Sequence, residues 1–153
     1  MRAKLGLTTD VDEDQQLLAT LLSMMEETGA DYTMTFRQLA LVHPDAMLDL
    51  NVLKNHWALS RLMRHEYYVS FVEGYRRRLY AERVHNDTER KERMNAVNPL
   101  YILRNWMAQS AVQKAENNDF SEVILLHKIL ETPYSEHSEA ERLGYAAPPP
   151  PNA

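Results

Sequence analysis

The chain has 153 residues, of which 44% are hydrophobic, so it is long and apolar enough to pack around one core rather than remain disordered. Its net charge of −5 gives no electrostatic basis for binding nucleic acid or an anionic membrane, and the absence of cysteine excludes disulfides, thiolate catalysis and cysteine-ligated zinc. No apolar run approaches the roughly 18–20 residues of a membrane span, and the N-terminus lacks a signal-peptide pattern, so we expect a cytoplasmic protein.

The composition predicts an all-α fold. Glycine is rare, with 4 residues, whereas Ala, Leu, Met, Glu and Arg are frequent, and these are strong helix formers. The apolar spacing along the chain predicts an irregular bundle of about six or seven helices.

The first predicted helix begins after a group of carboxylates. Residues 9–14 offer a cap and negative charge at the positive end of the helix dipole. Gly29 is placed to end this helix. The acidic group lacks the central glycine and distal glutamate of an EF-hand, so we interpret it as helix capping and not as a calcium loop. The apolar positions recur at helical spacing: Leu17, Leu18, Leu21, Leu22 and Met25.

Two short helices are predicted next. Thr33 or Thr35 is expected to cap the first, which should end before Pro44 because the residue preceding a proline disfavours the helical conformation. Asp45 is expected to cap the second. Trp57 either continues this second helix or begins a separate one, and the pattern leaves both possibilities open.

The segment from Glu66 to Glu82 has the clearest amphipathic pattern. Glu73 lies four residues before Arg77 and predicts a helical ion pair. The three consecutive arginines at 76–78 fan across roughly 200° of a helix, so they cannot form the single basic face that nucleic acid requires. The apolar stripe consists of Tyr68, Phe71, Val72, Tyr75 and Leu79.

Two further helix starts follow. Asn86, with Glu89 three residues later, resembles a capping box at the start of a short, charged helix. Asn98-Pro99 combines a preferred N-cap residue with proline at the first helical position, which is the strongest helix-start pattern in the sequence. We therefore predict a helix from Pro99 to about Asn117, with a first half that is apolar on nearly every side and buried.

A helical hairpin is predicted near residues 99–131. Asn118 and the asparagine before it interrupt the helix. Asp119 and Glu122 can cap a new helix, which Pro133 ends. Two helices separated by so short a break are typical of an αα-hairpin.

We predict a helical domain over residues 1–134 and a polar, Pro-rich tail over residues 135–153. The four closing prolines are typical of a polyproline spacer. Because the first residues also carry no start pattern for a domain, we expect the chain to be part of a longer protein.

No residue is predicted to be catalytic, cofactor-binding or metal-binding. The sequence has no Walker A loop, nucleophile elbow, dinucleotide-binding loop or H-E-x-x-H motif. His127 lies on the apolar side of the last predicted helix, so we expect a core histidine bonded to a backbone carbonyl. Arg104 and Asn105 lie in the most apolar turn of the chain, where a charge needs partners. They form either an internal structural network or a brace for a site on a partner domain.

Several stretches resemble the C-terminal part of the selenoprotein O family, or SelO, a family of kinase-like protein adenylyltransferases. The resemblance is most specific at Asn98-Pro-Leu-Tyr-Ile-Leu-Arg-Asn105 and Asn118-Asp-Phe-Ser-Glu-Val123, and it extends to residues 1–7 and 31–37. The matching residues, which we expect to be structural or to lie at a domain interface, are Tyr32, Phe36, Arg37, Asn98, Pro99, Tyr101, Arg104, Asn105, Asp119 and Phe120.

The resemblance implies a parent enzyme that transfers AMP from ATP to Ser, Thr or Tyr hydroxyls of proteins with Mg²⁺ or Mn²⁺. In the family, the nucleotide-binding and catalytic groups lie upstream of the matched stretch, and the C-terminal selenocysteine or cysteine tail is not matched here. We therefore expect no cofactor in this chain. Its expected partner is the kinase-like N-terminal domain, protein substrates are a further candidate, and neither nucleic acid nor membrane is expected. The alternative is a free-standing helical module that holds a partner peptide in an apolar groove.

Overall fold

The computed structural model describes residues 1–82 and 86–153, which form two compact units, Met1–Asn98 and Pro99–Ala153. The all-α prediction is confirmed, since these residues contain helices and no strand. No helix within the two described ranges is both long and apolar enough to cross a bilayer.

The described residues contain nine α-helices, a little above the predicted number, because three of them are very short. The first unit contains 3-10 turns at Arg2–Leu5 and Pro44–Ala46, and the helices α1 (Asp14–Thr28), α2 (Tyr32–Leu41), α3 (Leu50–Leu53), α4 (Trp57–Leu62), α5 (Tyr68–Ala81) and α6 (Asp87–Val97). The second unit contains α7 (Asn105–Ala115), α8 (Ser121–Glu131) and α9 (Ser138–Arg142).

The end of α1 and the start of α6 follow the predicted capping patterns. Gly29 adopts a left-handed conformation with φ 67°, and its N–H donates to the carbonyl of Met25. Asn86 accepts hydrogen bonds from the N–H groups of Thr88 and Glu89, which satisfies two of the donors left free at the start of α6.

The predicted cap of α2 is wrong. Asp31, not Thr33 or Thr35, is the N-cap, and its carboxylate accepts from the N–H of Met34 at 2.8 Å. Thr35 lies inside the first turn, where its hydroxyl donates to the Asp31 carbonyl at 2.6 Å. Asp and Thr are both good caps, so the spacing alone did not distinguish them.

The segment between α2 and α5 also differs from prediction. Asp45 lies in the 3-10 turn and does not cap an α-helix, because its carboxylate binds Arg76 at 3.1 Å. The N-cap of α3 is Asp49, which accepts from the N–H of Asn51. Trp57 begins the separate helix α4, so the open alternative is resolved in favour of two helices.

The apolar stripe of α5 is confirmed, and it forms the centre of the first core. Tyr68, Phe71, Val72, Tyr75 and Leu79 are all buried against residues from α1, α2 and α6. The predicted Glu73–Arg77 ion pair does not occur among the described residues. The i,i+4 pair of this helix is instead Arg78 with Glu82.

The strongest helix-start prediction is wrong. Asn98 is the C-cap of α6, and α7 begins only at Asn105, so Pro99 follows a helix instead of opening one. Residues 99–104 are not helical, and the N–H of Leu100 donates to the carbonyl of Pro133 at 2.8 Å. Asn98 does not cap α7 because its side-chain amide is bound elsewhere, as described below.

The first half of the predicted hairpin helix is also less buried than expected. Tyr101 is buried, but Ile102 is 36% and Leu103 is 56% exposed. The hairpin itself is confirmed as α7 and α8, which pack against each other. They are joined by residues 116–120, in which Asn118 has φ 60°.

The segment predicted as a tail contributes to the second core. Residues 138–142 form α9, and both Ala140 and Tyr145 are buried in a cluster with Met107, Leu126 and Ile129. The polar composition of residues 135–142 concealed this helix, because only one of its residues, Ala140, faces the core.

Candidate functional site

Three of the motif stretches meet in the first unit around Lys4. Its ammonium lies over the rings of Tyr32 and Phe36, at 5.6 Å and 5.1 Å from their centroids. The two rings pack edge to face at 5.2 Å. A cation over aromatic rings is attracted by their electron-rich faces. Burial lowers the pKa of the Lys4 ammonium.

Asn98 ties Lys4 to the end of α6. Its side-chain carbonyl accepts from the Lys4 ammonium at 3.1 Å, and its side-chain amide donates to the Lys4 backbone carbonyl at 2.9 Å. Asn98 is 1% exposed, so both polar ends of its side chain are satisfied away from solvent. Because both ends of the Asn98 side chain are hydrogen-bonded to Lys4, Asn98 is not available to cap a following helix.

Arg37 holds the same point from the side of α2. Its guanidinium donates to the backbone carbonyls of Asn98 at 2.8 Å and Asn95 at 3.4 Å, which are among the carbonyls left without helical partners at the end of α6. We call Lys4, Tyr32, Phe36, Arg37 and Asn98 the motif cluster. Four of these five residues were singled out from the sequence.

Only part of the motif cluster is open to solvent. Phe36 and Asn98 are 1% exposed and Arg37 is 9% exposed, whereas Tyr32 is 46% exposed. The cluster therefore fixes the N-terminal 3-10 turn, α2 and the end of α6 relative to one another. It leaves part of the Tyr32 side chain exposed beside half-buried Lys4, which provides recognition chemistry and no nucleophile–base pair.

A second polar cluster in the first unit was missed by sequence analysis. Arg78 binds Asp14 through Nε at 2.5 Å and Nη2 at 3.2 Å, and it also binds Glu82 at 3.2 Å. Glu82 accepts further hydrogen bonds from the N–H and hydroxyl groups of Thr8 and Thr9. Both carboxylates are more than nine-tenths buried.

These bonds lower the pKa values of both carboxyl groups. Burial alone would raise the pKa of Asp14, but hydrogen bonds from Arg78, the Val11 N–H and Arg2 outweigh it. For Glu82, burial is likewise outweighed by the bonds from Thr9 and Thr8. Charge-assisted bonds therefore hold both carboxylates ionised and use their oxygens. The arrangement fastens residues 2–10 to α5.

The motif residues of the second unit have mostly structural positions. Tyr101 is 1% exposed; its hydroxyl donates to Glu141 at 2.5 Å and accepts from the N–H of His137 at 3.1 Å. Burial and the Glu141 carboxylate raise the pKa of Tyr101 to about 12. The predicted cap of α8 is one residue out: Phe120 is the N-cap, and Asp119, which precedes it, accepts from the N–H of Ser121 at 3.0 Å.

Arg104, Asn105, Pro99 and Phe120 do not converge on a site within this unit. Arg104 precedes the first residue of α7 and is half-buried, Asn105 is exposed in the first turn, and Pro99 lies in the non-helical link. Phe120 is 54% exposed immediately before α8. The predicted interface role of Phe120 and Asn105 stays a prediction, and their exposure leaves both available for it.

The prediction for His127 is wrong. Its side chain is 76% exposed, with Nδ1 3.8 Å from a carboxylate oxygen of Glu131. The buried side of α8 instead carries Glu122, which accepts from Ser110 at 3.0 Å and from Lys114 at 2.8 Å. Glu122 was expected to cap the helix, but it lies on the buried face of α8 with Leu126 and Ile129, and this face does not include His127.

Among residues 1–82 and 86–153, no three His, Asp or Glu side chains are grouped so as to hold a metal ion. The sequence offered one usable indication of the second polar cluster, the acidic group before α1, which was interpreted only as helix capping. No pattern in the sequence indicates which of the three consecutive arginines pairs with which carboxylate, so Arg78 could not be distinguished from Arg76 and Arg77.

Comparison with known proteins agrees with the arrangement of motifs. A sequence model described as protein adenylyltransferase SelO matches residues 1–131. The protein nucleotidyltransferase YdiU of Pseudomonas fluorescens SBW25 is 40% identical over 150 residues, which is 98% of this chain and 29% of that relative. The protein of the same name from Myxococcus xanthus DK1622 is 41% identical over 150 residues, with the same coverage. The chain thus spans under a third of the length of these relatives, and with the match over residues 1–131 it belongs to the SelO family.

Proposed function

We propose that this chain is the helical portion of a SelO-type protein adenylyltransferase, and that it supports a kinase-like region that carries out AMP transfer. The observation that carries the proposal is the family match over residues 1–131 in a chain equivalent to 29% of its relatives. The activity is the one that the family's name describes. Transfer of AMP from ATP to a Ser, Thr or Tyr hydroxyl would take place in the kinase-like region, in the cytoplasm.

The use of polar groups within the first unit supports a structural role. Lys4, Arg37 and Asn98 are engaged with one another or with backbone carbonyls, and Asp14 and Glu82 are engaged with Arg78. A magnesium or manganese ion that bridges phosphates needs carboxylate oxygens free to coordinate it. These two carboxylates do not fit that need, so the proposal assigns ATP and the metal to the kinase-like region.

The proposal is tested with ATP labelled at the α-phosphate, in the presence of Mg²⁺ or Mn²⁺. This chain alone is expected to transfer no label to itself or to a mixture of proteins. A separately produced kinase-like region from a SelO protein, assayed with and without this chain, should transfer more label when the chain is present. Label transfer by the chain alone would contradict the proposal.

Failure of the two pieces to associate is controlled with an intact relative. The Myxococcus protein is assayed whole and after removal of the stretch that matches this chain. The truncated enzyme should lose most of its transfer activity, and a fusion that restores this chain in place of the removed stretch should regain it. Full activity in the truncated enzyme would exclude a supporting role.

One observation favours the alternative of a free-standing interaction module. Phe120, Val123 and Ile124 are 54%, 43% and 67% exposed and have the i, i+3, i+4 spacing of one helical stripe. An exposed apolar stripe is a common docking surface for a protein partner. A chain that is monomeric and does not associate with a kinase-like region would favour this alternative.

A further inference from the structure

A groove runs between α1 and α5 on the surface of the first unit. The helices are antiparallel, since Asp14 at the start of α1 contacts Arg78 near the end of α5. The groove has a volume of about 540 Å³. We call it the α1–α5 groove and define it by Gln16, Leu17, Thr20, Phe71, Gly74 and Arg77.

Gly74 leaves the floor of this groove open. A Cβ atom placed on Gly74 would lie 3.5 Å from Cδ1 of Leu17, an ordinary van der Waals contact with no clash. The backbone of α5 therefore has room for a side chain at this position and carries none. Because glycine lowers helix stability by about 0.5–1 kcal/mol relative to alanine, an open floor in mid-helix is a disadvantage unless it accommodates something.

Arg77 places a positive charge at the edge of this floor. Its neighbours are engaged: Arg76 binds Asp45, and Arg78 binds Asp14 and Glu82. Arg77 has no ion pair with any residue in the described part of the chain, and one guanidinium nitrogen lies 3.9 Å from the Cβ position of Gly74. Two carboxylates also line the groove, but Asp14 is bound to Arg78, and Glu13, which is exposed, makes no ion pair with Arg77 in the described part of the chain. The groove thus combines an apolar floor, formed by half-buried Leu17 beside buried Phe71, with a cation that has no carboxylate partner.

We propose that the α1–α5 groove docks a helical segment of a protein substrate in which a large apolar residue and an acidic residue lie one turn apart. The apolar side chain packs over Gly74 between Leu17 and Phe71, and the carboxylate pairs with Arg77. Residues three or four positions apart lie on the same face of a helix, so one segment can supply both contacts. A guanidinium pairs well with a carboxylate because it offers two parallel N–H donors.

The size of the groove favours a substrate over a permanent partner. A stable interface buries about 1,200–2,000 Å² in total. A groove of about 540 Å³ has room for a few side chains and by itself supplies only a small part of such an area. A weak, reversible contact suits an enzyme that must release each modified protein. The identification of the occupant as a substrate rests on the proposed function; the groove and its chemistry do not.

The test measures peptide binding to the intact 153-residue chain. The probe is a blocked alanine-based helical peptide with one leucine and one glutamate four positions apart. We expect amide chemical-shift changes around Leu17, Ser70 and Gly74, with a dissociation constant on the order of 0.1–1 mM. Peptides with glutamine or lysine in place of glutamate, or alanine in place of leucine, should bind at least about threefold more weakly.

Two variants of the chain make the test specific. Gly74→Leu fills the floor and should abolish the shift changes, whereas Gly74→Ala adds only one methyl group and serves as the matched folding control. Arg77→Glu should reverse the preference, so that the lysine peptide binds more tightly than the glutamate peptide. Because this reversal is a gain of binding, a misfolded variant cannot imitate it.

Each remaining outcome overturns the proposal. Absence of binding at millimolar peptide, binding that is indifferent to both variants, or shifts located elsewhere would exclude the groove as a docking site. If Gly74→Leu abolished association with the kinase-like region, or abolished a dimer of this chain, the occupant would be that partner and not a substrate. AMP transfer is not part of the binding assay, so failure of the proposed function and failure of the groove are distinguishable.

Discussion

The two compact units close the ends of their helices in different ways. In the first unit, the closing side chains come from distant parts of the sequence and several are buried cations. Arg90, which is 2% exposed, donates to the carbonyls of Leu39, Ala40 and Val42 at the end of α2, about 50 residues away. In the second unit, the Tyr101 hydroxyl closes the start of α9 by accepting from the N–H of His137, the N-cap of that helix, and it also donates to Glu141.

The difference indicates where each unit is vulnerable. A buried cation with several backbone partners cannot be removed without leaving carbonyls unsatisfied, so few residues carry much of the stability of the first unit. The second unit has a helical hairpin with local contacts, and its Tyr101 hydroxyl bonds to Glu141, an exposed carboxylate that water can solvate when the bond is lost. Trp57 lies in the first unit and Trp106 in the second, so single-tryptophan variants can follow each unit separately.

The largest effect is expected from Arg90→Met. Methionine fills a similar volume but leaves three backbone carbonyls and the Tyr75 hydroxyl without their donor, so we expect a loss of about 3–5 kcal/mol in the free energy of unfolding, measured by urea denaturation with Trp57 fluorescence. Arg142→Met removes an exposed ion pair with Glu139 and should change stability by less than about 0.5 kcal/mol. Near-equal values for the two variants would remove the distinction between the units.

An intermediate effect is expected from acid and from Glu82→Gln. The pKa values of Asp14 and Glu82 are lowered in the folded state, so their contribution is complete above the unfolded pKa of about 4 and is lost as the pH falls toward the folded values. The free energy of unfolding, followed by Trp57 fluorescence, should therefore decrease below about pH 5.

Glu82→Gln should lower stability at neutral pH by about 1.5–3 kcal/mol, the range for hydrogen bonds to a charged group, and should flatten the acid dependence. Glu13→Gln, an exposed carboxylate beside the same cluster, is the matched control and should leave the pH profile unchanged. An unaltered profile in the Glu82 variant would show that this carboxylate does not govern the acid response.

The smallest effect is expected from Tyr101→Phe in the second unit. The variant keeps the buried ring but loses the bonds to Glu141 and His137, at a cost of about 1 kcal/mol. Hydrogen exchange should accelerate in residues 138–145, which the tyrosine holds to the hairpin. Tyr67→Phe, at a site 57% exposed, should have no such effect. Unchanged exchange over α9 would mean that packing of Ala140 alone retains this helix.

Where a helix is long and amphipathic, sequence was sufficient to predict it. The stripe on α5 and the glycine stop of α1 follow from periodicity and from the left-handed conformation that glycine tolerates. The short elements were predicted less well. The helix α4 obtains its cap from Gln38 in α2, whose side-chain oxygen accepts from the N–H groups of Ala58 and Leu59, and no local pattern can indicate a cap supplied from 20 residues away.

The family motifs were identified from sequence, but their physical roles were not. Arg37, Asn98 and Tyr32 were predicted as structural or interface residues. The structure joins Tyr32 to Asn98 through Lys4, which sequence analysis had not singled out, and Arg37 to the backbone carbonyl of Asn98. The Arg77 and Gly74 pair in the α1–α5 groove is of the same kind. Each residue is unremarkable alone, and only the packing of α1 on α5 places a cation beside an open floor.

The sequence by itself determined the helical class, the family and the long amphipathic helices, because composition and periodicity are local properties that survive without tertiary contacts. Asn98-Pro99 marks the boundary of that information. Its local preference is to start a helix. However, Lys4 binds both ends of the Asn98 side-chain amide, and Arg37 donates to the Asn98 backbone carbonyl. Three long-range hydrogen bonds outweigh one cap worth about 1 kcal/mol, so the tertiary structure made the strongest local start pattern into a helix end.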